Sequence, residues 1–288
     1  MRPDRIVGGA YDDRATSLMR TLDAPFQRNH ERFIIMDVRS AELAKHAANA
    51  LLATWISFMK ELANLAESLG ADIESVCQGI GSDPRIGYHF LYPRCGCGGS
   101  CFLKDVKALI NTAAGHGHDL KVLNAVEAAD NLQKHVLTQK VKARFDKEFT
   151  GKHFAIWGLA LNPNTDDMRE APSCEPIDDL LTAGATVTAF DPEAMHETCR
   201  VYASETRLTL ADTPINALNK VQPAEALLIV TEWKVFRSPD FDDIKSKLKT
   251  PVIIDGRNLY QVNEVTLHGL EYYPIGRKQS EYSLGIPS

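Results

Sequence analysis

No apolar run in these 288 residues approaches the roughly 18 that a membrane-crossing helix needs. No secretory signal pattern opens the chain, so it is expected to be cytoplasmic and to have no membrane partner. Basic blocks are missing too. The 32 Lys and Arg stand against 38 Asp and Glu, and a net charge of −6 argues against nucleic acid as a partner. Six cysteines (Cys77, Cys95, Cys97, Cys101, Cys174, Cys199) do not make a disulfide scaffold in a chain this long. Cys95, Cys97 and Cys101 lack a second Cys/His pair at zinc-ligand spacing, so no metal is expected. Nowhere does G-x-G-x-x-G follow a strand and open a helix, so a dinucleotide site of the usual kind is not supported.

What is present reads as a globular protein of about two domains with a real core, 44% hydrophobic and 24% charged. A short strand is expected at residues 4–8 and a helix at 11–22. A long helix should begin with Ser40 as its N-cap and stop at Gly70. Leu51, Trp55, Phe58, Leu62, Leu65 and Leu69 recur along it at spacings of three and four, an apolar stripe for packing on another helix. Further helices are expected at 72–80, 101–115 and 119–147, an all-helical middle suited to an oligomer core. At Gly151 the pattern changes. Apolar strands at 153–159, 186–190, 226–231 and 251–255 alternate with helical stretches, the mark of a doubly wound parallel α/β unit. The fold class is therefore α/β, an all-helical centre followed by a parallel-sheet domain.

Gly96-Cys97-Gly98-Gly99-Ser100-Cys101-Phe102-Leu103-Lys104-Asp105 carries the most chemistry. Its glycines let a backbone approach a ligand closely. A thiol beside a cation is placed to become a thiolate, the nucleophilic form. In a helix begun at Ser100, Cys101 and Asp105 share a face. A tight turn around a buried cysteine is the alternative for the thiol taken alone.

This segment resembles the nucleophile motif of the UDP-glucose 6-dehydrogenases, within the UDP-glucose/GDP-mannose dehydrogenase family. The resemblance continues through Ser40–Asn49, Asp83–Gly87, Asn164–Ser173 and Asp255–Asn258, in the family's order. It implies NAD as cofactor and an alcohol oxidised twice at one carbon, the intermediate aldehyde being captured by a cysteine as a thiohemiacetal and then a thioester. By resemblance Cys101 is that nucleophile, Lys45 and Asn49 stabilise the oxyanion, and Asp105 orients water. Arg85 reaches the substrate from a neighbouring subunit of a homodimer. Phe90, Leu91, Tyr92, Pro93, Arg94 and Gly98 wrap the UDP-sugar, with Leu161, Asn162 and Arg257 completing its site. Lys104 and Arg169 contact NAD. Read without the resemblance, Lys45, Asp105 and Arg85 would be surface residues.

The resemblance also divides the chain. Residues 1–37 correspond to the tail of an NAD-binding Rossmann domain, 38–150 to a central dimerisation and catalytic domain, and 151–288 to a UDP-sugar-binding domain. The expected activity is NAD-dependent oxidation of UDP-glucose to UDP-glucuronate, as in polysaccharide precursor supply, with this stretch inactive alone. Three positions depart from the family pattern: Leu161-Asn162 for Phe-Lys, Cys97 for Tyr or Phe, and Trp55 for Lys or Arg. A dehydrogenase of another nucleotide sugar, or a non-catalytic nucleotide-sugar-binding or dimerisation module, are the rival readings.

Overall fold

A computed structural model describes residues 5–26, 33–96, 102–146 and 148–278. Strand β1 (Ile6–Gly9), helix α1 (Asp13–Asp23) and strand β2 (Phe33–Met36) open the chain, and β1 and β2 pair in parallel. Asp12 caps α1 by accepting from the Ala15 amide at 2.7 Å. Helix α2 (Val38–Leu69) follows, 32 residues long. Its cap is Asp37 rather than the expected Ser40. The Asp37 carboxylate accepts from the Ser40 amide at 3.0 Å, so Ser40 already lies in the first turn. The stop at Gly70 is as expected. Gly70 adopts φ +71° and turns its N–H back to Ala66 and Glu67.

Helices α3 (Ile73–Gly81), α4 (Phe102–Gly115), α5 (Lys121–Lys134) and α6 (Val136–Phe145) complete the helical centre. One helix expected over 119–147 is thus two. The break falls at His135, whose ring bonds Asp179 at 2.8 Å.

A six-stranded parallel sheet forms the rest. Its members are β3 (His153–Trp157), β4 (Thr186–Phe190), β5 (Leu208–Leu210), β6 (Ala226–Ile229), β7 (Val252–Asp255) and β8 (Glu271–Tyr273). The order is β5-β4-β3-β6-β7-β8, all neighbours parallel. Helices α7 (Cys174–Thr182), α8 (Met195–Val201), α9 (Phe241–Lys247) and α10 (Val262–Leu267) lie between strands in sequence. Strands β3, β6 and β7 are buried along their whole length, as a sheet covered on both faces requires. The edge strands β5 and β8 were not expected from sequence. Each has three residues, too short for a periodicity to register.

The apolar stripe of α2 is covered only in part, with Leu62 packed against the core and Trp55 half-buried. The face turned inward carries Ala50, Ala53, Ser57, Ala63 and Ala66, small residues that let α4 and α5 approach, together with the longer Met59 and Lys60. Leu51, Phe58, Leu65 and Leu69 face outward and remain 52–73% exposed. Among the described residues these four side chains stay more than half exposed.

Candidate active site

Two sets of groups flank the glycine-rich segment. The first joins α2 to α4. Asn49 donates its Nδ2 to Asp105 Oδ2 at 2.6 Å, across 56 residues of sequence. Asp105 lies in the first turn of α4, where an acid suits the helix dipole, and is only 5% exposed. One turn before Asn49, His46 brings a buried Nδ1 to 3.5 Å from the other carboxylate oxygen. That Nδ1 takes no hydrogen bond. Sequence reasoning found Asn49 and Asp105 but passed over His46. Lys45 and Lys104 are exposed. Cys101, Gly98 and Cys97 lie outside the described residues. Among the described cysteines, burial pushes the Cys77 thiol up to about 11, and raises those of Cys95 and Cys174.

A polar seam continues down α2 from Asn49. Ser57 donates to the Val126 carbonyl at 3.4 Å, and Lys60 meets Asp130 at 2.5 Å with both side chains 1% exposed. Asn64 then donates to Gln133 at 2.9 Å, whose amide donates to the Arg94 carbonyl at 3.3 Å. The seam therefore ends on the loop that precedes the glycine-rich segment.

The second set gathers at the carboxyl ends of β3, β6 and β7, where open α/β sheets bind ligands. Gly158, just past β3, has φ +91°, and a Cβ there would lie 2.5 Å from the Thr231 amide nitrogen. Only glycine lets the two strand ends come this close. Asp191, 1% exposed, then fixes the surrounding loops. Its carboxylate accepts from the Leu159 and Ala160 amides at 2.7 and 3.0 Å and from the Trp233 indole at 2.9 Å. Beyond β7, Asp255 accepts from the Arg257 and Leu259 amides and from the Tyr272 hydroxyl, each at 2.8 Å. Burial nevertheless pushes the Asp255 carboxyl upward.

Residues 91–96 strap across these strand ends. The Cys95 amide donates to the Gly256 carbonyl at 3.0 Å, and a Cβ on Gly256 would fall 2.5 Å from the Cys95 sulfur. Phe90 enters the strap at φ +64°, an uncommon conformation for a bulky residue and one that collects at ligand clamps. Leu91 and Pro93 are buried and can reach a ligand only through their backbone, whereas Phe90 and Tyr92 are exposed. Arg94 pairs with Glu232 Oε1 at 2.8 Å. The other oxygen of Glu232 lies 3.2 Å from Arg257 Nε. Arg257, 3% exposed at its side chain, also donates from Nε to the Val230 carbonyl and from Nη2 to the Leu161 carbonyl at 3.4 Å.

Arg94, Leu161 and Arg257 are thus brought together, and Asn162 lies exposed beside Leu161. Arg85 is 87% exposed and forks onto Asp83, two residues away, outside this cluster. Arg169 is likewise exposed and tied to Asp167 at 2.7 Å. Sequence reasoning missed Glu232 and Asp191. Both follow the carboxyl end of a parallel strand, and that position alone was the available signal.

Lys104 and Arg169, both exposed and neither near a glycine fingerprint, do not by themselves make a cradle for a dinucleotide. No group of three or more His, Cys, Asp or Glu able to hold a metal occurs among the described residues. No described helix is long and apolar enough to cross a membrane.

The fold agrees with the chain's similarity to known proteins. Residues 39–131 match the central domain of the UDP-glucose/GDP-mannose dehydrogenase family, and residues 155–262 match its UDP binding domain. A UDP-glucose 6-dehydrogenase of Pseudomonas aeruginosa is 48% identical over 97% of this chain and 62% of its own length. One from Rhizobium meliloti is 41% identical, over 96% of this chain and 62% of its own. The solved UDP-glucose dehydrogenase of Pyrobaculum islandicum is 32% identical, with a TM-score of 0.84 over 96% of this chain and 59% of that one. The chain spans about 62% of the length of the curated relatives it matches. It belongs to the UDP-glucose/GDP-mannose dehydrogenase family.

Proposed function

We propose that these residues form the catalytic and sugar-nucleotide half of an NAD-dependent UDP-glucose 6-dehydrogenase. The observation that carries this reading is the 2.6 Å bond from Asn49 to Asp105. It joins two family motifs that the chemistry needs side by side, the Lys-x-x-x-Asn pair of α2 and the motif whose Asp105 lies in the first turn of α4. In this reading the Cys101 thiolate adds to the C6 aldehyde of the sugar. Lys45 and Asn49 steady the oxyanion so formed, the adduct gives up a hydride to become a thioester, and Asp105 holds the water that hydrolyses it to the acid and the free thiol. NAD is the hydride acceptor, and turnover requires a dinucleotide-binding domain beside this chain, because Lys104 and Arg169 alone do not enclose the cofactor. Following NADH absorbance with UDP-glucose and NAD tests the reading. The 288 residues alone should give no turnover, and should gain it when a dinucleotide-binding domain is joined ahead of them. Cys101→Ala should then remove it, by at least about a thousandfold. Turnover by the lone chain, or a joined enzyme indifferent to Cys101, would overturn it.

The same reading assigns the UDP-sugar to the crevice at the ends of β3, β6 and β7. Asn162 stands there without the charge a lysine would supply. Restoring it with Asn162→Lys adds one charge-assisted contact, so UDP-glucose should bind about tenfold to a hundredfold tighter, a gain of about 1.5–3 kcal/mol. Arg257→Ala should weaken binding. Calorimetry in which neither variant changes the affinity would show that the nucleotide sugar binds elsewhere.

A further inference from the structure

Glu232 has no role in the chemistry above, yet it stands at the centre of the sugar-nucleotide crevice. It follows β6, is 15% exposed, and holds an arginine on each oxygen. Arg94 comes from the strap, 2.8 Å from Oε1, and Arg257 from the loop after β7, 3.2 Å from Oε2. The contact on Oε2 is one of charge alone, since that buried oxygen takes no hydrogen bond. The planar fork of arginine suits anions that offer it two oxygens, carboxylate and phosphate. Glu232 thus presents to the two guanidiniums the kind of group that a diphosphate would present.

We propose that Glu232 is the resident counter-ion of this crevice, a carboxylate that occupies Arg94 and Arg257 until the diphosphate of a nucleotide sugar displaces it. The inference rests on the assignment of the nucleotide sugar to this crevice. Binding is then an exchange of one anion for another. Small anions such as inorganic pyrophosphate gain too little from the exchange to compete, while a nucleotide sugar adds its base and sugar contacts. Glu232 acts as a specificity-determining residue, its repulsion of the wrong anion setting the threshold for the right one. It also keeps two arginines from facing each other unscreened in the empty crevice.

The test is calorimetry on the full chain and on Glu232→Gln, with UDP, uridine and inorganic pyrophosphate as probes. Glutamine keeps the shape and an acceptor oxygen but removes the charge. The variant should bind UDP and pyrophosphate about tenfold tighter at low salt. The gain should shrink at high salt, and uridine should be unaffected. Equal or weaker UDP binding by the variant overturns the inference while leaving the crevice assignment standing. Absence of UDP binding by both proteins overturns the two together. Should Glu232→Gln not fold, as read by circular dichroism, Glu232→Asp replaces it. Its shorter side chain reaches only one arginine, so UDP should bind about threefold tighter, and no gain overturns the inference.

Discussion

Replacing Lys60 by methionine is expected to lower the unfolding free energy by about 3–5 kcal/mol. Lys60 Nζ meets Asp130 Oδ1 at 2.5 Å between α2 and α5, with both side chains 1% exposed. The lone substitution leaves the Asp130 carboxylate in the interior without its cation. Desolvating a charge costs several kcal/mol, and the mutual attraction of the pair is what offsets that cost. The double change Lys60→Met with Asp130→Leu removes both charges and should return most of the lost stability, or exceed the original, since apolar pairs of like volume replace buried ion pairs well. Urea unfolding of the two single variants and the double variant measures this coupling. A double variant as unstable as the singles would show that the loss comes from packing around α2 and not from the orphaned charge.

The exposed stripe of α2 gives the second large effect. Leu51, Phe58 and Leu65 lie seven residues apart, with Leu69 one turn on, and each is more than half exposed. That is the spacing of a helix–helix seam, left uncovered among the described residues. We propose that a second copy covers it, in a homodimer that also carries Arg85 to its neighbour's crevice. Sedimentation at micromolar concentration should show a dimer. Phe58→Asp together with Leu65→Asp places two charges in the seam, each costing a few kcal/mol if buried, and should give a monomer. A wild-type monomer, a variant that still dimerises, or aggregates of no defined size would each refute the dimer.

What could be read beforehand divides along physical lines. The sheet was legible because Phe154–Trp157, Ala226–Ile229 and Val252–Ile254 are unbroken apolar runs, which a strand buried on both faces produces. The long helix was legible from its periodicity and from Gly70. Which of its faces turns inward was not. Sequence pattern ranks faces by hydrophobicity, while close packing of α4 and α5 selects the alanines and leaves the leucines outside. The split at His135 was invisible for a related reason, since no proline or glycine marks it and its partner Asp179 lies in a distant helix. Around the site, Asn49, Asp105, Arg94 and Arg257 were found through motifs. Glu232 and Asp191 lie in no motif, and His46 sits inside Ser40–Asn49 with no role drawn from it; all three meet their partners only through the fold.

Time separates the first strands from the rest of the molecule. Among the described residues β1 and β2 pair only with each other, Val7 and Ile34 are 39% and 48% exposed, and α1 buries no residue. Parallel strands are ordinarily covered on both faces, and a lone pair has little apolar burial to hold it shut. Its amides therefore exchange with solvent through local opening at a small fraction of the global free energy. Those of β3, β6 and β7 exchange only when the whole sheet comes apart. The chain lives on two clocks, and a protease would cut near the first strands long before it found the crevice that Arg257 lines.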